Sequence, residues 1–189
     1  MQFCPLATSM SIQRLPQHVI NKLKAWEIVE RPMAVVKELV ENSLDAGATS
    51  VLIDVEKWGK QLIKIQDNGS GISPEDLRLT VERYATSKIS DIDDLEHISS
   101  YGFRGEALAS ISEVSTFRIQ SKTKESPVWY ELYRQGDRFE VKEIPFAHEH
   151  GTIIIVEDLF HAIPVREKFL KTDNTEWNYI KQLFQQYAL

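Results

Sequence analysis

Lys37-Glu38-Leu39-Val40-Glu41-Asn42-Ser43-Leu44-Asp45-Ala46-Gly47 is followed at once by two alternating runs, Val51-Leu52-Ile53-Asp54-Val55 and Leu62-Ile63-Lys64-Ile65, and then by Asp67-Asn68-Gly69-Ser70-Gly71. The order of these pieces decides the fold class. Apolar residues from Val35 to Leu44 recur at helical spacing and stop at a glycine, as helices commonly do. The two runs alternate with period two and are joined through Trp58-Gly59, which predicts a hairpin. The glycine-rich stretch then breaks the second strand.

Upstream, Val19 to Ile28 also has helical spacing, and Arg31-Pro32 separates it from the next helix because proline suits a first turn. Downstream, Ser73-Pro74-Glu75-Asp76 has the form of a helix opening, with a serine cap and an acid three residues on. Ser87 to Gly105 reads as loop and Glu106 to Ile111 as a short helix. Phe117 to Gln120, Trp129 to Tyr133, Phe139 to Ile144 and Thr152 to Val156 read as strands, and Glu176 to Tyr187 returns to helical spacing. Helices first and strands afterwards predict an α+β fold, a two-layer α/β sandwich with a mixed, largely antiparallel sheet. There is no G-x-x-x-x-G-K-[ST] loop and no G-x-G-x-x-G after a first strand, which excludes the P-loop and Rossmann readings.

The chain has 189 residues, 42% of them hydrophobic, which is enough for a single core. Its formal net charge of -6 gives no global basic field, so DNA contact is expected to be weak or indirect. One cysteine, Cys4, allows no internal disulfide and fits a reducing compartment. His148 and His150 flank Glu149 without the spacing of a helical zinc site and read as a solvated turn. No stretch approaches the roughly 20 apolar residues of a membrane span, and the expectation is a soluble, cytoplasmic protein, or a nuclear one in a eukaryote.

Glu38, Asn42 and Asp45 follow one another by four and three residues, which puts them on one helical face over about 10 Å of rise. A carboxylate and a carboxamide one turn apart suit a magnesium-nucleotide site: the first can orient and deprotonate water, the second offers a hard oxygen ligand. The stripe alone equally describes a solvated helix face. Asp67 is an acceptor suited to an exocyclic amine, and its glycines let backbone approach a planar ligand, although a turn uses the same residues. Gly102-Phe103-Arg104-Gly105-Glu106-Ala107-Leu108 precedes a short helix, whose first N–H groups favour phosphate, and an ordinary glycine-bounded helix entry has the same form. Thr86-Ser87-Lys88 could reach phosphate or face solvent.

Taken in order, Val29-Glu30-Arg31-Pro32, Lys37 to Gly47, Asp67 to Ile72, Arg83-Tyr84-Ala85-Thr86-Ser87-Lys88 and Gly102 to Ile111 resemble the successive motifs of the MutL mismatch-repair family. That family is grouped with gyrase-type topoisomerases, heat-shock chaperone ATPases and histidine kinases, and the resemblance implies their Bergerat-type ATP-binding sandwich. It implies Glu38 as the general base and Asn42 as the ligand of Mg2+. Asp67 would bind the adenine amine, and Thr152, after Gly151, would support it. Thr86, Ser87 and Lys88 would contact nucleotide, and Arg104, Gly105, Glu106, Ala107 and Leu108 would form the phosphate lid. The implied partners are ATP, mismatch-recognition and strand-processing repair proteins, and a second copy in a nucleotide-dependent homodimer.

Three positions depart from that family. Trp26 stands where it has glycine, Tyr84 where histidine is common, and Trp58-Gly59 where it has a glycine pair. Residues 1–10 read as a disordered leader and 11–189 as one ATP-binding domain. The family's second subdomain, which supplies a lysine to the γ-phosphate, and its C-terminal dimerisation domain do not fit within this length. ATP turnover is therefore expected to be weak or absent, and the competing expectation is a catalytically silent fragment that serves as a protein-interaction module.

Overall fold

The computed structural model describes residues 12–85, 105–146, 148–161 and 163–187. The expected leader, with Cys4, lies outside these residues. Two helices come first, α1 (Gln17–Ile28) and α2 (Pro32–Asp45), with Pro32 in the first turn of α2 as the sequence predicts. A hairpin follows, β1 (Val51–Glu56) and β2 (Leu62–Asp67). Its tip holds Lys57, Trp58 and Gly59 in succession at positive φ. The expected helix after Ser73 is a single turn, α3 (Pro74–Leu77), capped by Ser73 Oγ, which accepts from Asp76 N at 3.1 Å. Then come α4 (Ala107–Val114), β3 (Thr116–Lys122), β4 (Trp129–Gln135), β5 (Arg138–Ile144) and β6 (Gly151–Glu157). A one-turn helix, α5 (Pro164–Glu167), which the sequence pattern does not signal, precedes α6 (Asp173–Tyr187).

The six strands form one open sheet in the order β1-β2-β6-β3-β4-β5, and every neighbouring pair is antiparallel. The largely antiparallel sheet expected from the sequence is thus antiparallel throughout the described residues. Period-two alternation sends Ile63 and Ile65 of β2, Ile154 and Val156 of β6, Phe117 and Ile119 of β3 and Leu132 of β4 to one face. There they meet Ala25 of α1, Val36 and Leu39 of α2, Ile111 and Val114 of α4 and Ile180 of α6 in a continuous buried core. The opposite face carries cross-strand polar pairs instead, including Arg118–Glu157 at 2.8 Å and Lys142–Glu131 at 3.0 Å. Among the described residues no helix is long and apolar enough to cross a membrane.

Candidate functional site

The core face does not stay apolar to its end. The alternation Ile63, Ile65 continues to Asp67, Val156, Ile154 continues to Thr152, and Phe117, Ile119 continues to Ser121. Asp67 is opposite Thr152, and Thr152 is opposite Ser121, in the strand register. Three adjacent strands therefore finish in a buried polar row at one end of the sheet. Helix α2 repeats the pattern: Val36, Leu39 and Val40 face the core, and the next position on that stripe is buried Ser43.

Hydrogen bonds join this polar end into a network. Ser43 Oγ lies 2.9 Å from Asp67 Oδ2 and 3.1 Å from Leu39 O, while Gly69 N donates to Asp67 Oδ1 at 2.9 Å. Ser121 Oγ accepts from Ile72 N at 2.9 Å, donates to Gly151 O at 2.8 Å and is 2.9 Å from Thr152 Oγ1. Burial pushes the Asp67 carboxyl above the ordinary carboxylate range, and bonds from Gly69, Ser43 and the Thr152 backbone N–H pull it part of the way back. A carboxylate offers roughly four acceptor sites, so the bonds from Ser43 and Gly69 leave acceptor capacity to spare.

Two glycines make the approach of the strands possible. At Gly151, φ is 129° and an added Cβ would lie 2.1 Å from Asp67 O. At Gly71, φ is 74° and a Cβ would lie 2.1 Å from Lys122 O. Neither position accepts a side chain without moving backbone, which is why the motif around Asp67 needs glycine.

Further back along α2, half-buried Glu38 faces the start of α4. It lines a small cavity with Ile28, Val29, Ala34, Val35, Ala107 and Ile111. Glu38 and Ser43 are five residues apart on one helix, about 7.5 Å of rise, so α2 spans from the start of α4 to the Asp67 network. Just before α4, Glu106 lies 3.7 Å from Arg83, whose guanidinium also donates to Asn21 O of α1 at 3.2 Å. Gly105 O accepts from Tyr84 N at 3.0 Å. A larger groove of about 480 Å³ at the β1 edge, bordered by Trp177 and Phe184 of α6, is lined by none of these residues.

The site thus holds a buried acid on β2 beside close-packed glycines, a second acid on α2, and a helix start facing that second acid. The histidine kinase-, DNA gyrase B- and HSP90-like ATPase family matches residues 29–150. The chain belongs to that family.

Relatives that match include MutL proteins. The chain is 52% identical over 180 residues to the DNA mismatch repair protein MutL of Pseudoalteromonas translucida, and 53% identical over 180 residues to that of Shewanella sediminis. Each alignment covers 95% of this chain and 29% of the relative. It is also similar to the Aquifex aeolicus MutL ATPase domain complexed with ADP, with 36% identity and a TM-score of 0.65 over 85% of this chain and 56% of that one. The chain spans under a third of these curated relatives' length. These likenesses do not favour the silent interaction module.

Of the residues predicted for the ATPase site, Asp67 and Thr152 are brought together, Glu38 meets Ala107, and Asn42 lies half-buried one turn beyond Glu38. Gly105 and Glu106 adjoin the start of α4, and Leu108 packs against the core. Thr86, Ser87, Lys88 and Arg104 lie outside the described residues. Sequence reading passed over Ser43, Ser121 and Arg83. For the two serines the signal was present, because each is a polar residue at a position where the periodicity of its own element calls for an apolar one. Arg83 gave no such signal, since its partners come from α1 and the residue before α4.

Proposed function

We propose that this domain binds ATP in the space bounded by α2, the start of α4 and the Asp67 row, and hydrolyses it. Asp67 accepts the exocyclic amine of adenine with its remaining acceptor capacity, and Thr152 holds that carboxylate through its backbone N–H. The nucleotide extends along α2, so its phosphates reach the N-terminus of α4, where the first N–H groups of the helix, those of Ala107 and Leu108, favour negative charge. Glu38, beside Ala107, orients water and takes its proton. Asn42, one turn away, offers a carboxamide oxygen to Mg2+, which when bound neutralises phosphate charge. Thr86, Ser87, Lys88 and Arg104 are proposed to contact the phosphates on the family resemblance alone.

The observation that carries this reading is the buried Asp67 carboxylate, bonded by Gly69, placed by register against Thr152 and tied by Ser43 to the helix that bears Glu38. Calorimetric titration with ADP and with a non-hydrolysable ATP analogue plus Mg2+ tests it. Asp67→Ala is expected to abolish binding of both, whereas Asn42→Ala is expected to weaken only the Mg2+-dependent part. A folded Asp67→Ala chain that binds ADP like the wild type would overturn the assignment. In the longer relatives ATP binding and hydrolysis are proposed to serve mismatch repair, with dimerisation and contact with repair proteins supplied by the whole protein.

A further inference from the structure

The end of the sandwich opposite Asp67 carries a contact that nucleotide binding does not account for. After β6 the chain turns through Asp158 and Phe160, both at positive φ, and this turn holds several elements together. Leu159 N donates to Lys60 O at the hairpin tip at 2.9 Å, and Phe160 N donates to Val114 O, at the last residue of α4, at 2.7 Å. Within the short helix α5, Arg166 Nη2 donates to Glu30 O in the joint between α1 and α2. The guanidinium carbon lies 5.5 Å from the centre of the Trp26 ring and 6.0 Å from that of Phe160. Its Nε is buried without a hydrogen-bond partner, so the group gives up solvation to be held there.

Glu30 is two residues before the first turn of α2, and the residue between them, Arg31, makes no side-chain cap bond to the helix. Besides the burial of Pro32 and the stacking of Arg31 over the Tyr179 ring, 4.6 Å from its centre, the contacts that grip the joint set the start of α2. Ile28 and Val29 of that joint line the same cavity as Glu38 and Ala107, so a shift of the joint repacks the wall beside the carboxylate. We propose that Arg166 is a positioning residue for Glu38: clamped between the Trp26 ring and the Glu30 carbonyl, it sets where the base on α2 stands relative to the start of α4. A planar guanidinium can stack on an indole and donate in its own plane at once, which suits Arg166 to a joint that carries Trp26. Trp26, at a place where the resembled family has glycine, is in this view half of the clamp. The inference rests on Glu38 being the water-activating group.

The test compares wild type, Arg166→Ala and Arg166→Lys in ADP affinity, in the rate of ATP hydrolysis at saturating ATP and Mg2+, and in amide hydrogen exchange along α2. Arg166→Ala is expected to bind ADP within about twofold of wild type while hydrolysing ATP roughly ten- to a hundredfold more slowly, with part of the rate regained in Arg166→Lys. Amides of residues 34–38 are expected to exchange at least about tenfold faster and those of 42–45 to be unchanged. Hydrolysis as fast as wild type, wild-type exchange at residues 34–38, or a loss of ADP affinity in step with the rate would each overturn the proposal. Where wild type binds ADP without turnover, the exchange arm decides alone. Wild type that binds no ADP strikes the nucleotide-site reading instead.

Discussion

The two ends of the core face are built from the same strands with the same alternation, yet one end is filled with Ile63, Phe117 and Val156 and the other with Asp67, Ser121 and Thr152. The first end gains stability by removing apolar area from water. The second spends some of it, because burial raises the Asp67 pKa and the row must be hydrogen-bonded to be tolerated. The lesson is that a core pattern can be continued into a polar candidate site by changing only its chemistry.

Gly151 is where that comparison breaks most severely. Gly151→Val puts a side chain at φ 129° and 2.1 Å from Asp67 O, and a loss of more than about 3 kcal/mol in urea unfolding is expected. Ile119→Ala, at the apolar end, is expected to cost about 2–5 kcal/mol with ADP affinity retained by the molecules that remain folded. Asp67→Asn should give the opposite result, with ADP binding lost and urea stability at neutral pH equal to or above wild type. The pH dependence sharpens this contrast. A raised pKa means that the folded state holds the proton more tightly than the unfolded state, so Asp67 contributes stability below the ordinary carboxylate value and loses it as pH rises through its folded value. The decline in unfolding midpoint over that window should shrink in Asp67→Asn.

Smaller effects are expected away from the carboxylate. Ser121→Ala removes the acceptor of Ile72 N and a donor to Gly151 O, and should cost about 1–3 kcal/mol by the same measurement. On the opposite face Arg118→Gln breaks the ion pair with Glu157, but both partners are more than a third exposed, and a change of about 0.2–1 kcal/mol is expected. A Ser121→Ala chain less affected than Arg118→Gln would mean that the polar row is solvated and not part of the core.

Much of this was legible because periodicity is local. The spacing Val35 to Leu44 gives α2, and the runs 51–55 and 62–65 give the hairpin within a residue or two. Asp67 and Glu38 were singled out through the order of motifs, not through their surroundings. The burial of Asp67 depends on Thr152, 85 positions away in the chain, and no window on the sequence contains both. Ser43 and Ser121 were hidden by a habit of reading polar residues as surface, although Leu39-to-Ser43 and Ile119-to-Ser121 keep the core spacing. Arg166 was beyond reach for a different reason: two of its partners, Trp26 and Glu30, come from a segment more than 130 positions away.

Helix α2 carries Glu38 and, five residues later, the Ser43 that holds Asp67. A helix has a fixed rise and rotation per residue, so on the proposed reading α2 is a ruler between the base-recognising acid and the water-activating one. It gauges how far a ligand extends past its adenine, and so separates a nucleotide that reaches Glu38 from one that falls short. One alanine inserted between Glu41 and Asn42 would lengthen the ruler by about 1.5 Å and turn Glu38 about 100° away from its mark.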